Sequence, residues 1–301
     1  MMRICVIFNP SAKGEKARRF RRHLEQIAAQ AALKLTACPG DARRLAKEAV
    51  LEGFDRVVAA GGDGTVNEVL NGLGDAPEGF ERSSLGVLPL GTVNVFAREL
   101  VLPKKLGAAW DTILHGSETR IDLPWVEYAN NGAKERRYFA QLAGAGLDAR
   151  AVELVNWELK RKLGPLAYVI AGLQALLGPP ARITVTAGAK QTTGGLVLIG
   201  NGRLYGGDFR VFPGADLRDG LLEICVFPRV NWLTLAQCGP PLLFRGCLPA
   251  SAVQVWQAES FQLTGENNVP MELDGEFVGR LPATFGIQRS ALRVVAPSPA
   301  S

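Results

Sequence analysis

One pattern repeats along the first 120 residues: a short apolar run, a turn, then a stretch with helical periodicity. "RICVIF" (3–8), "LKLTA" (33–37), "DRVVAA" (55–60) and "SLGVLPL" (84–90) read as strands. Between them, "EKARRFRRHLEQIAAQAA" (15–32) puts Phe20, Leu24, Ile27 and Ala31 on one helical face. "DARRLAKEAVLEG" (41–53) has Asp41 as N-cap and Gly53 past its end, "TVNEVLNGL" (65–73) follows as a further helix, and the strand at 84–90 opens into "GTVNVFAREL" (91–100). Strands alternating with helices imply parallel crossover units, hence an α/β domain. In such sheets ligands sit beyond the carboxyl ends of the strands. "NPSAKG", "GGDGT" and "PLGTVN" are the loops leaving those ends.

Beyond about residue 123 the texture changes. "RIDLPWVEY", "RRYFAQLA", "ARITVTA", "TTGGLVLIGNG", "LLEICVF", "AVQVWQAESFQLTG", "VPMELDGEFVG" and "ATFGIQ" are strand-like, with "NNG" and "DG" marking turns. Helical patches interrupt near 149–177 and 232–244. A chain of 301 residues is long for one core. The expected fold class is α/β plus β: a mainly parallel nucleotide-binding domain over 1–123 and a β-sandwich over 124–301, the last strand being a candidate to return to the first domain.

Hydrophobic residues at 47% and charged residues at 21% suit a folded globular chain. The net charge of +5 favours an anionic partner, but the basic runs lack interleaved aromatics, which argues against nucleic acid. Cys5, Cys38, Cys225, Cys238 and Cys247 are scattered without a C-x-x-C pair, so neither a disulfide framework nor a zinc site is indicated and a cytoplasmic setting is expected. No apolar run approaches the ~20 residues of a spanning helix. With two histidines and no G-x-S-x-G element, a catalytic triad finds no support.

The most informative stretch is "AAGGDGTVNEVLNGLG" (59–74). Its glycines let the backbone take positive φ and approach an anion, while the following helix offers unpaired N–H groups and the positive end of its dipole. Phosphate can bind there without a lysine. Asp63 repels phosphate unless a cation lies between them or its task is a proton, which argues for Mg²⁺ chemistry or base catalysis. A tight strand-to-helix turn with Asp63 as a cap is the plain structural alternative.

"GGDGTVNEV" followed by "PLGTVNVFAR", with "NP" after the first strand and "LDGE" at 273–276, resembles the diacylglycerol kinase catalytic family. That family includes bacterial lipid kinases, sphingosine kinases and ceramide kinases. "GNGRLYGGDFRVFPGADLRDGLLEI" (200–224) extends the resemblance over nearly the whole chain. It implies transfer of the γ-phosphoryl group of ATP to a lipid hydroxyl, in a cleft between an α/β domain and a β-sandwich. Carried over, Asn9, Thr36, Gly61, Gly62, Asp63, Gly64, Thr65, Val66, Asn67, Glu68, Gly91, Thr92 and Asn94 would hold the nucleotide. Glu276 matches the proposed proton acceptor, and Asp63 is the second candidate, otherwise organising Mg²⁺. Asp216, Asp219 and Leu221 match a structural Mg²⁺ site, through the Asp219 carboxylate and main-chain carbonyls at the other two.

Val95 stands where many bacterial relatives carry an acid, Lys13 and Asp208 where glycine is usual, and Asp122 remains as a candidate acceptor-side carboxylate. A kinase of soluble substrates like the NAD kinases, and a non-catalytic nucleotide or lipid sensor, are the competing readings. The apolar stretch 165–177 after "ELKRKLG" suggests transient contact with the inner membrane face, and a homodimer is a further expectation.

Overall fold

The computed structural model describes residues 2–10, 27–130, 132–154, 174–178 and 180–298. Most of the expected 15–32 helix and of the 165–177 stretch lies outside these residues. The chain forms two compact units: Met1–Leu123 with Tyr138–Ala140 and Gln288–Ser301, and Pro124–Arg137 with Gln141–Ile287.

In the first unit the elements are β1 (Ile4–Phe8), β2 (Ala32–Leu35), α1 (Asp41–Leu51), β3 (Arg56–Gly61), α2 (Asp63–Asp75), α3 (Gly79–Arg82), β4 (Ser84–Pro89), α4 (Val95–Glu99) and α5 (Leu106–His115). The strands pair in parallel in the order β2-β1-β3-β4. Every residue of β1, β3 and β4 is buried, as strands covered on both faces must be. Val6, Phe8, Val58, Ala60 and Leu88 pack with Ala109 and Ile113 of α5, while α1 and α2 pack against each other.

The second unit contains strand β5 (Ser117–Asn130) from Pro124 on, β6 (Ala133–Tyr138) up to Arg137, β7 (Leu142–Gly146), α6 (Leu147–Leu154), β8 (Ile183–Ala187), β9 (Lys190–Gly194), β10 (Leu196–Gly200), β11 (Leu222–Phe227), α7 (Trp232–Arg245), β12 (Gln254–Ala258), β13 (Ser260–Gly265), β14 (Pro270–Leu273), β15 (Glu276–Arg280) and the start of β16 (Ala283–Ala296). One antiparallel sheet runs β12-β11-β10-β7-β14-β15. The other strands pair β9-β8-β13-β16, with β5 between β16 and β6. Trp256 on one sheet meets Phe261 on the other at 6.5 Å between ring centroids, and Phe261 stacks on Phe285 at 5.3 Å. The expected class, an α/β unit and a β-sandwich-like unit, is the one found. The C-terminal part of β16 lies in the first unit, parallel to β4 with Val294 opposite Leu85.

Several local readings differ. Gly40, at φ 87, takes the N-cap of α1, and Asp41 is the first helical residue. Its carboxylate turns back to accept from the Ala37 and Cys38 N–H groups at 2.8 and 3.2 Å, and these bonds, with Arg44, lower its pKa to about 2. "TTGGLVLIGNG" is two strands that break at Gly195, and "AVQVWQAESFQLTG" breaks at Glu259 into strands of different sheets. The break lets one apolar segment line both sides of the core.

Glycine matters where backbones touch. A Cβ on Gly72 of α2 would lie 2.2 Å from the Arg43 carbonyl oxygen, whereas one on Gly107 of α5 would meet nothing within 4 Å. Gly72→Ala is therefore expected to destabilise the protein by about 1–3 kcal/mol through overpacking, and Gly107→Ala to stabilise it by roughly 0.5–1 kcal/mol through reduced chain entropy. Thermal unfolding of the two variants beside wild type checks the opposite signs.

Candidate functional site

The carboxyl ends of β1, β3 and β4 bring several of the expected nucleotide residues together. β3 ends at Gly61, Gly62 is the N-cap of α2 in extended backbone, and Asp63 opens the helix. The glycines of this turn were expected to take positive φ; Gly61, Gly62 and Gly64 do not. Sterics decide instead. A Cβ on Gly61 would lie 2.3 Å from Thr65 Oγ1, and one on Gly91 would lie 2.5 Å from the Gly62 Cα. The turn after β3 and the loop after β4 thus touch main chain to main chain.

Hydrogen bonds fix that contact. The Leu90 and Gly91 N–H groups donate to the Gly61 carbonyl at 2.9 and 3.1 Å. Asn94, at φ 55, closes the loop by accepting from Gly91 N–H at 2.9 Å and donating to its carbonyl at 2.7 Å. Asp63 Oδ1 accepts from the Phe96 N–H at 3.3 Å, tying α2 to α4. Asn9 donates from its main chain to the Ala60 carbonyl and from its amide to Thr65 Oγ1 at 3.5 Å. The Thr36 N–H bonds the Phe8 carbonyl at 3.0 Å, and Thr92 is exposed on the loop. The first-turn N–H groups of a helix have no acceptor within the helix, so the start of α2 can receive an anion beside the Asp63 carboxylate.

Other expected nucleotide residues do structural work. Both carboxylate oxygens of Glu68 accept from the start of α1, Gly40 N–H at 2.9 Å and Ala42 N–H at 3.0 Å. Asn67 and Asn71 donate to the Tyr138 carbonyl, and Asn71 accepts from its N–H. Val66 is core. Val95, at the missing-acid position, is the buried first residue of α4. Asp122 is 1% exposed and accepts from the Ser290 N–H at 2.7 Å, an anchor for β16.

In the second unit Glu276 follows a two-residue turn, Asp274 at φ 49 and Gly275 at φ 84, the combination that a tight hairpin requires. Asp274 locks the turn to β7: its carboxylate accepts from the Gln141 and Leu142 N–H groups at 2.9 and 3.1 Å, and its own N–H donates to the Leu142 carbonyl. Glu276, partly exposed, is presented at the start of β15.

Two acids beneath this hairpin were not singled out from the sequence. Glu272, 1% exposed, accepts from the Gly275 N–H at 2.7 Å, and Asp148, at the start of α6, accepts from the Tyr205 hydroxyl. Strand alternation hides Glu272, because an acid between Met271 and Leu273 reads as solvent-facing. The available signal is the small-residue run "LAGAG" of β7, whose Gly144 is Glu272's cross-strand partner.

Asp216, Asp219 and Leu221 lie in one turn. Asp219 Oδ1 accepts from the Leu221 N–H at 2.9 Å, and the Asp216 carboxylate accepts from the Arg218 N–H at 3.0 Å. Among the described residues no three His, Cys, Asp or Glu side chains cluster as a metal site, so a cation here would rest on few carboxylates and on main-chain oxygens. Glu223 lies close by with Oε1 buried and without a hydrogen-bond donor; burial, then the Asp219 charge, raises its pKa. An orphaned carboxylate oxygen beside the Asp219 carboxylate is the kind of hard oxygen donor that suits a divalent cation such as Mg²⁺.

Residues 3–126 match the family described as the diacylglycerol kinase catalytic domain, and residues 141–296 match the YegS C-terminal NAD kinase beta sandwich-like domain. A Bacillus subtilis protein named diacylglycerol kinase is 32% identical, covering 99% of this chain and 97% of the relative. A Staphylococcus aureus protein of the same name is 31% identical over 97% of this chain and 92% of its own. Among solved structures, two from Bacillus anthracis share the fold: one with TM-score 0.77 and 23% identity over 98% of this chain and 95% of the other, one titled a diacylglycerol kinase with TM-score 0.70 and 20% identity over 98% and 96%. With the glycine turn, the hairpin glutamate and both family matches in one chain, this protein belongs to the diacylglycerol kinase family.

Proposed function

We propose that this protein is a lipid kinase that transfers the γ-phosphoryl group of ATP to the hydroxyl of a diacylglycerol-like lipid. The observation that carries the reading is the Gly62–Gly91 contact, which leaves the start of α2 bare of side chains next to Asp63. The names of the B. subtilis and S. aureus relatives support a lipid alcohol as the acceptor.

In this reading the N–H groups at the start of α2 hold phosphate oxygens, and Asn9 and Asn94 keep the surrounding loops in place. Asp63 supplies a hard oxygen ligand where phosphate charge gathers, and Mg²⁺ bound there would offset that charge. Glu276 takes the proton of the attacking lipid hydroxyl. Phosphoryl transfer mainly needs alignment, charge neutralisation and a placed base.

Lipid must also be met at a bilayer. Among the described residues no helix is long and apolar enough to cross one. On α7, Cys238 faces the core while Trp232, Leu233, Leu243 and Phe244 are 57 to 87% exposed. No Asp or Glu occurs from 224 to 258, and Arg229 and Arg245 flank the helix. An outward apolar face bordered by cations fits transient contact with an anionic lipid surface.

With Mg²⁺ and ATP, wild type is expected to phosphorylate at least one acceptor in a panel of lipid alcohols. Glu276→Gln should lower kcat by about 10²–10⁴-fold, the range for a lost general base, with nucleotide affinity unchanged by calorimetry. Wild-type turnover in that variant would move the base to Asp63, and no phosphorylation across the panel would leave a sensor. Gly91→Ala should weaken nucleotide binding in the same titration, because the added methyl separates the two loops. Phe244→Glu should reduce binding to phosphatidylglycerol vesicles by roughly tenfold or more, as expected when a large apolar side chain worth ~1.5–3 kcal/mol is lost. A change in molecular mass without a change in vesicle binding would make that face a contact between copies.

A further inference from the structure

Four carboxyl oxygens beneath the hairpin can each be accounted for. Asp148 Oδ1 accepts from the Tyr205 hydroxyl, and Glu272 Oε2 accepts from the Gly275 N–H at 2.7 Å. The remaining two converge over Gly144: a Cβ there would lie 2.6 Å from Asp148 Oδ2 and 2.8 Å from Glu272 Oε1. Glu272 Oε1 is buried and meets no N–H or O–H donor among the described residues. Two carboxylates so close in a low-dielectric interior cannot both be ionised. A proton between them supplies the donor that Oε1 lacks.

We propose that Glu272 and Asp148 share one proton and act as positioning residues, the pair holding the Asp274–Gly275 turn and with it Glu276. The effect on turnover rests on Glu276 acting at the reacting centre, as proposed above; the shared proton does not. Burial, then the Asp148 charge, raises Glu272 well above the ordinary carboxylate range. Burial also raises Asp148, while bonds from Tyr205 and Glu272 draw it back down. The shared proton lies between Glu272 Oε1 and Asp148 Oδ2, while the other Glu272 oxygen receives the Gly275 N–H.

The charged neighbours leave this assignment intact. α6 carries Asp148, Arg150 and Glu153, β15 carries Glu276 and Arg280, and β7 has no titratable side chain. Arg280 pairs with Glu153, and Asp274 in the turn pushes Glu272 further up. Carboxyls raised on folding contribute stability that is complete below their unfolded value, about 4, and is lost as pH rises through the folded value. Raising the pH above the ordinary carboxylate range thus loosens the hairpin.

The test compares wild type, Glu272→Gln and Glu272→Ala by the pH dependence of kcat and by the hydrogen-exchange protection of the Gly275 amide, read by NMR. In wild type both should fall as pH rises above the ordinary carboxylate range, with one midpoint. Glu272→Gln, whose neutral amide can make both bonds without titrating, should keep protection level across that range and show no such fall in kcat. Glu272→Ala should lose protection at every pH and lower kcat by roughly a hundredfold, the effect of about 1 Å of misplacement. A wild-type protection profile with no fall as pH rises, or one that Glu272→Gln reproduces, overturns the proposal. Should Glu272→Ala fail to fold, the wild-type and Gln profiles alone decide. If the protein phosphorylates no lipid, Gly275 protection still tests the shared proton, so failure of the kinase reading is distinguishable.

Discussion

The end of the first unit at the carboxyl termini of β3 and β4 depends on two backbones touching. Gly62 and Gly91 bring the turns after β3 and β4 so close that no side chain fits between them. Hydrogen bonds to the Gly61 carbonyl and the Asn94 side chain hold them there. The parallel sheet supplies the strand ends, and the glycines let the loops close over them. The bare start of α2 follows from that contact, and so does the ability of its N–H groups to face a ligand rather than a neighbouring side chain.

Asp63 and Val95 are linked through the same arrangement. By accepting from the Phe96 N–H, Asp63 caps a helix whose first residue is Val95. Where the family resemblance leads one to expect a second acid, this chain buries an aliphatic side chain. The first unit therefore has Asp63 as the acid of its glycine turn, joined to α4 by a main-chain hydrogen bond. A carboxylate that caps a helix beside the proposed phosphate site is held by the fold before any substrate arrives.

What could be read from the sequence was what has a period or a motif. Short apolar runs between helical stretches gave the parallel sheet, and "LDGE" gave a hairpin that has positive φ at both turn residues. Side-chain destinations were harder. Glu68 sits inside the most informative motif, yet it spends both oxygens on the start of α1, because the packing of α2 against α1 places it there. The glycines of the phosphate turn serve close approach rather than left-handed backbone, a distinction that spacing cannot make. Glu272 escaped notice for a related reason: alternation assigns a strand residue to a face, but not what covers that face.

The hairpin that carries Glu276 places three acids at alternate positions within five residues, and each meets its surroundings differently. Asp274 is compensated by main-chain N–H groups from Gln141 and Leu142, so its charge serves to dock the turn on β7. Glu272, buried beside Asp148, can be kept only by remaining neutral, and the proton that makes it so also completes a bond. Glu276, like Asp274, lies at a partly exposed position, while Glu272 is buried. Environments that push neighbouring carboxyls toward different protonation states are how one short segment can hold a structural acid and a chemical one together. Had Glu272 been ionised, its charge would have opposed ionisation of the acids around it. A neutral Glu272 lets the turn hold Glu276 without adding another negative charge beside the group proposed to accept the lipid proton.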